Sequence, residues 1–284
     1  MPGWLVGSHG VARCRRAALG GYRRFANVPA MPVDYEQRGP FAVITINRPE
    51  ARNAVNGEVA QGIEDAIDRI EADDATWVGI ITGVPPVFCA GADLKEINSG
   101  NAGGLATKKG GFAGLVQRER TKPIIAAVDG PALAGGTEIV LSCDLVVAST
   151  TATFGIPEVK RSLVAGAGGL FRLGRKIPLN IAMELTLTGD PIDATRAHHF
   201  GLVNRLVESG QALDEAVALA EQICANAPVA VRESRKIVLE ATNAPDDVGW
   251  KMSMEGMGVA MSSEDFSEGL TAFIEKRPPV WKGR

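Results

Sequence analysis

Pro123-Ile124-Ile125-Ala126-Ala127-Val128-Asp129-Gly130-Pro131-Ala132-Leu133-Ala134-Gly135-Gly136-Thr137-Glu138 reads as a buried strand, a turn made of small residues, and the start of a helix. The apolar run through Val128 has strand length, and glycine and proline close it before a helix opens within Gly135-Gly136-Thr137-Glu138. Phe41 to Ile46, Trp77 to Thr82 and Asp144 to Ala148 are runs of the same kind. Between the first two, Gly57 to Glu71 places Val59, Ile63, Ala66, Ile67 and Ile70 on one helical face and Glu64, Asp65, Asp68 and Glu71 on a solvated one. Strand, turn, helix, strand is the grammar of parallel crossovers, so the chain is of α/β class. From Pro191 onward the pattern turns helical, over Asp193 to Phe200, Gln211 to Ala225, Val229 to Ala241 and Ser263 to Glu275. Three parts are expected: a basic N-terminal extension over residues 1–32, poorly ordered, a catalytic core over 33–200, and a helical subdomain over 201–284 that caps the core or meets another subunit.

The 284 residues are 45 % hydrophobic and 22 % charged, which is material for a substantial core. A net charge of −3 gives no overall basic field for nucleic acid or an anionic membrane, and no apolar run reaches transmembrane length. Cys14, Cys89, Cys143 and Cys224 are widely separated and lack a neighbouring histidine set. They read as reduced thiols of a cytosol-like compartment, with no metal site. Arg13, Arg15, Arg16, Arg23 and Arg24 precede the first acidic residue, Asp34. That segment reads as an extension ahead of Met31 of a cytoplasmic protein, with a mitochondrial-matrix transit peptide as the second reading.

Glu138 and Glu158 stand twenty positions apart, each beside glycine or proline in apolar company. Desolvating a carboxylate is costly, so two in core-like stretches point to a task, and paired carboxyls can divide acid and base work. Phe88-Cys89-Ala90-Gly91-Ala92-Asp93-Leu94-Lys95 is a turn of small residues leading into a helix start. Its free N–H groups, with those of the Gly135-Gly136 turn, can converge on one carbonyl oxygen and stabilise charge developing there.

The strings Asn47-Arg48-Pro49, Cys89 to Lys95, Lys122 to Gly130, Ala134 to Glu138, Phe154-Gly155-Ile156-Pro157-Glu158 and Gly166-Ala167-Gly168-Gly169 together resemble the crotonase (enoyl-CoA hydratase/isomerase) family, in order from about Val33 to the C-terminus. The resemblance implies a crotonase-like spiral of ββα turns with a helical C-terminal trimerisation region. It also implies a homotrimer or dimer of trimers, an acyl-CoA substrate, and no cofactor, since coenzyme A is part of the substrate. On that likeness Ala92 and Gly135 supply the oxyanion-hole N–H groups. Glu138 and Glu158 hold a water between them, Glu138 acting mainly as base toward C3 and Glu158 as proton donor to C2. Ala51 and Arg52 fall near the pantetheine or nucleotide and Lys95 beside the thioester turn. Ala90, Asp93, Leu94, Gly136, Pro157 and Gly166 complete the substrate-binding set.

Many relatives keep one of the two glutamates, so the presence of both favours water addition: an enoyl-CoA hydratase, a lyase of fatty acid and lipid metabolism. Ala134, where many members have a third glycine, and Ala165, where proline is frequent, depart from the pattern. Three alternatives stand beside this reading. The tail Glu275 to Arg284 and Gly110 to Leu115 resemble crotonobetainyl-CoA hydratases, whose cationic acyl group wants an aromatic cage, here from Phe112, Trp250 and Phe266. A Δ3,Δ2-enoyl-CoA isomerase needs one proton shuttle and no water. An RNA-binding or non-catalytic relative is the third, but the early helix carries Glu58, Glu64, Asp65, Asp68, Glu71, Asp73 and Asp74 against Arg69 alone, which repels phosphate.

Overall fold

The computed structural model describes residues 31–284. The extension read over residues 1–32, with Cys14, therefore lies almost wholly outside the described residues. The strands are β1 (Val33–Arg38), β2 (Phe41–Ile46), β3 (Val78–Gly83), β4 (Ala106–Thr107), β5 (Gly111–Phe112), β6 (Ile124–Val128), β7 (Ala132–Leu133), β8 (Leu145–Ser149), β9 (Thr153–Gly155), β10 (Ile192–Asp193) and β11 (Arg205–Val207). The helices are α1 (Gly57–Ala72), α2 (Leu94–Asn98), α3 (Gly135–Ser142), α4 (Gly169–Lys176), α5 (Leu179–Thr188), α6 (Ala194–His199), α7 (Ala212–Cys224), α8 (Pro228–Ala241), α9 (Asp246–Met261) and α10 (Glu264–Glu275).

The main sheet runs β1-β2-β3-β6-β8-β11, antiparallel between β1 and β2 and parallel everywhere else. Both faces are buried, which is why β2, β3 and β6 read as unbroken apolar runs rather than alternating ones. Ala42, Ile44, Ile46, Ile81, Ala126 and Val128 face a core shared with α1 and α3. The alternate residues Phe41, Val43, Val78, Ile80, Ile125 and Ala127 pack with Ala216, Ala220 and Cys224 of α7. The division expected at residue 200 is thus crossed twice: β11 extends the sheet beside β8 and α7 covers its second face. The helices also begin before Pro191, with α4 and α5.

The α1 face expected to be solvated is instead an anchor. Asp68 accepts from Lys109 Nζ at 2.6 Å and pairs with Arg118, Glu64 accepts from the Thr107 hydroxyl, and Glu71 accepts the N–H groups of Thr121 and Lys122, each at 3.0 Å. These bonds pin the 106–122 segment, which carries the β4–β5 hairpin, onto α1.

A smaller sheet, β10-β9-β7, sets the site. β7 and β9 are parallel, with Ala132 opposite Phe154 and Leu133 opposite Gly155. Parallel neighbours end on the same side, so the segments that follow them emerge together. One continues into α3 with Glu138, the other into the 3₁₀ turn Pro157–Arg161 with Glu158. Fully buried Thr137 locks the pair: its hydroxyl donates to the Ala132 carbonyl at 2.7 Å and accepts the Gly155 N–H at 3.0 Å.

Candidate active site

Glu138 lies in the first turn of α3 and is 3 % exposed. Its Oε1 accepts the N–H groups of Ala167 at 2.7 Å and Gly169 at 2.9 Å. A Cβ on Gly169 would fall 2.9 Å from Glu138 Cγ, so only glycine lets the backbone come this close. Burial lifts the Glu138 pKa above the ordinary carboxylate value, while the Gly169 and Ala167 N–H groups and the Arg172 charge pull the other way.

Glu158 follows Pro157 at the start of its 3₁₀ turn. Its Oε2 is buried and has no hydrogen-bond partner. Burial is the largest influence raising its pKa; its own N–H and Arg161 oppose, and the neighbouring Glu138 charge raises it further. Two carboxyls that feel each other in a desolvated site, one braced by two N–H groups and the other with a free buried oxygen, are set up for unequal protonation.

On the other side, Val55 pairs with Ala92 in a short parallel bridge, its N–H donating to Gly91 O and its carbonyl accepting from Asp93 N–H, both at 2.8 Å. Bonds to the residues on either side of Ala92 leave its own N–H directed away from Val55. Gly91 sits at φ +96, where a Cβ would lie 2.9 Å from Gly135 N, so this turn touches the start of α3. Among the described residues, neither the Ala92 nor the Gly135 N–H has an acceptor. Gly136 lies against the Cys89 carbonyl, and a Cβ there would overlap that oxygen.

Ala134, the departure noted in the sequence, adopts φ 52 and ψ −125, a conformation that favours glycine and costs an alanine about 1–3 kcal/mol. Its N–H donates to Gly155 O at 2.9 Å, which holds the kink that turns the Gly135 N–H outward.

Ala90 and Ala51 are half-buried and adjoining, since the Ala90 N–H donates to Arg52 O at 3.1 Å. Arg52, Leu94, Lys95 and Gly166 are exposed, Pro157 is half-buried and Gly136 is buried. Asp93 is held from within the protein. Its side chain is buried, paired with Arg48 Nη1 at 2.6 Å and capping α2 through the Lys95 N–H at 2.9 Å. The Arg48 guanidinium holds its carboxyl below the usual range, so Asp93 fastens the Ala92 turn to the Asn47–Val55 loop.

Of the three aromatic candidates, Phe112 is placed here by contact: a Cβ on Gly135 would lie 2.5 Å from its Cε1 and Cζ. Trp250 on α9 and Phe266 on α10 are exposed. Cys89 and Cys143 are buried, their thiols pushed up by burial to about 12 and about 11, which leaves them protonated at neutral pH. Thr137, Arg48 and Arg172 stand outside the set of site residues expected from the sequence. Lone polar side chains in a motif carry no signal of the distant carbonyl or carboxylate they meet.

The family model described as enoyl-CoA hydratase/isomerase matches residues 36–284. The chain is 42 % identical over 252 residues to mevalonyl-coenzyme A hydratase sidH of Aspergillus fumigatus, covering 84 % of this chain and 90 % of the relative. It is 41 % identical over 256 residues to enoyl-CoA hydratase EchA19 of Mycobacterium tuberculosis, covering 88 % and 96 %. A crystal structure of enoyl-CoA hydratase from Mycobacterium tuberculosis H37Rv superimposes with a TM-score of 0.86 at 49 % identity, over 89 % of this chain and 100 % of that one.

Proposed function

The chain belongs to the enoyl-CoA hydratase/isomerase family, and from that premise we propose that it adds water reversibly across the 2,3 double bond of a 2-enoyl-CoA thioester. The observation that carries this reading is the pair of glutamates in unequal settings, Glu138 buried and braced at one oxygen, Glu158 half-buried with its Oε2 buried and unpartnered. In the proposed reaction the Ala92 and Gly135 N–H groups receive the thioester oxygen, drawing electrons from C3; each such donor is worth about 3 kcal/mol. Glu138 removes a proton from water as its oxygen bonds to C3, and the electron pair moves through C2 to the thioester oxygen. Glu158 then gives its proton to C2 as the enolate collapses. The product is a 3-hydroxyacyl-CoA, and a proton passing from Glu138 to Glu158 resets the site. No cofactor is needed, because coenzyme A is part of the substrate.

An isomerase would need one proton shuttle, and the presence of two carboxyls favours water addition. The test is incubation with crotonyl-CoA and a longer 2-enoyl-CoA, following loss of enoyl-thioester absorbance and a product heavier by one water. A product of unchanged mass with a migrated double bond would overturn it. The active form has Glu138 ionised and Glu158 neutral. The rate therefore falls at low pH as Glu138 protonates and at high pH as Glu158 ionises. With both pKa values raised by burial, the two limbs of the kcat profile lie above the ordinary carboxylate range. Limbs at ordinary glutamate values would contradict the desolvated pair.

We further infer a homotrimer, or a dimer of trimers, with the C-terminal helices at the contacts between copies. Trp250 and Met254 on α9 and Phe273 and Ile274 on α10 are large apolar side chains between 60 % and 84 % exposed in the single chain, a burden that association would relieve. Sedimentation equilibrium is expected to give three or six chain masses, and a monomer at micromolar concentration would refute the inference.

A further inference from the structure

The turn that braces Glu138 has a brace of its own. Arg172 on α4 directs Nη1 to the Ala167 carbonyl at 3.2 Å and Nη2 to the Val116 carbonyl. The Ala167 carbonyl belongs to the peptide between the two N–H groups that reach Glu138 Oε1, those of Ala167 and Gly169. Gly168, at φ +92, is where a Cβ would overlap the guanidinium, so the glycine leaves room for Arg172 to lie on the turn. Val116 belongs to the other half of the site: its N–H donates to Phe112 O at 3.3 Å, and the Phe112 ring lies against Gly135.

We propose that Arg172 is a positioning residue that clamps the Ala167–Gly169 turn against Glu138 and ties it, through Val116, to the segment that seats Phe112 on the oxyanion donor Gly135. One planar fork thus fixes the base and the oxyanion side relative to each other, which a single-point donor cannot do. Its positive charge also favours the ionised form of Glu138. Glu138 is the one titratable side chain of α3; facing it are Glu158 of the 3₁₀ turn and Arg172 of α4, while Arg161 acts on Glu158, and Arg120, Arg175 and Cys143 act on Arg172.

For its kinetic arm the proposal rests on the hydration reading, so a second readout is independent of activity. Arg172→Gln removes the charge and keeps one donor; Arg172→Lys keeps the charge and loses the fork. Both are expected to lower kcat for hydration about 10- to 100-fold, the scale of a small misplacement, with KM for the acyl-CoA within about twofold. Because Arg172 lowers the Glu138 pKa and the active form is ionised, Arg172→Gln moves the acid limb to higher pH, whereas Arg172→Lys leaves it near the wild-type position. The Glu138 carboxyl, followed by carbon-13 NMR and assigned by its loss in Glu138→Gln, titrates higher in Arg172→Gln in parallel. An unmoved Glu138 titration, or kcat within about twofold of wild type in both variants, overturns the proposal. If wild-type protein hydrates nothing, the hydratase reading fails and the carboxyl titration alone decides Arg172. If Arg172→Gln does not fold, kcat and KM of Arg172→Lys decide it by the same thresholds.

Discussion

Glu138→Gln and Glu158→Gln are each expected to lower kcat for hydration of a 2-enoyl-CoA by about 10²- to 10⁴-fold, the usual worth of a positioned acid or base. The amide at 138 still presents an oxygen to the Ala167 and Gly169 N–H groups, so the turn and the fold survive while the base is gone. The amide at 158 fills the same space, but it has no proton acidic enough to hand to C2. Neither substitution touches the exposed loops expected to meet coenzyme A, so KM changes little. The two groups act on one water, and the double variant therefore falls little below the worse single one. The pH profiles separate the roles: Glu138→Gln loses the acid limb and Glu158→Gln the alkaline one. Exchanged limbs would reverse the assignment of base and acid, and undiminished turnover in both variants would end it.

Gly135→Ala is expected to lower kcat about 100-fold or more, because its new methyl would lie 2.5 Å from two ring atoms of Phe112 and 3.3 Å from Gly91 Cα. Either the ring moves into the space next to the donors or the first turn of α3 shifts, and the Gly135 N–H then no longer converges with that of Ala92. Removing the ring should relieve the conflict, so Phe112→Ala added to Gly135→Ala recovers most of the lost rate. Steady-state kinetics on the single and double variants check this. If the double variant is no faster than Gly135→Ala alone, the contact with Phe112 is not what constrains the donor.

The parts of the fold legible in the sequence were those whose pattern follows from local burial. β2, β3 and β6 announced themselves because both faces are covered, and α1 because its apolar stripe faces one core. β1 and β11 carry no such pattern: β1 is an edge strand carrying Tyr35, Glu36 and Gln37 half-buried or exposed, and β11 is three residues long. α9 lacks an inward stripe, with Gly256 its one buried residue, so no periodicity marked it. At the site, the glutamates and glycine turns stood out because their residue types are unusual in apolar company. The couplings between segments did not: Arg48 meets Asp93 across 45 positions and Arg172 meets Val116 across 56. Contacts of that separation are decided by how elements stack, and a charged side chain carries the same local signal whether it ends in water or on a carbonyl.

The crossing of residue 200 by β11 and α7 bears on synthesis. A chain emerging from the ribosome can lay β2, β3, β6 and β8 side by side once residue 149 is out, but one side of that sheet, with Phe41, Val78 and Ile80, stays bare until Ala212–Cys224 arrives. For the more than sixty residues in between, the nascent protein carries an uncovered apolar surface and an open strand edge, a state prone to aggregation and suited to chaperone binding. Truncations ending before α7 inherit that surface permanently, so Glu138 and Glu158, though both encoded by residue 158, sit in a covered fold only once α7 has been made.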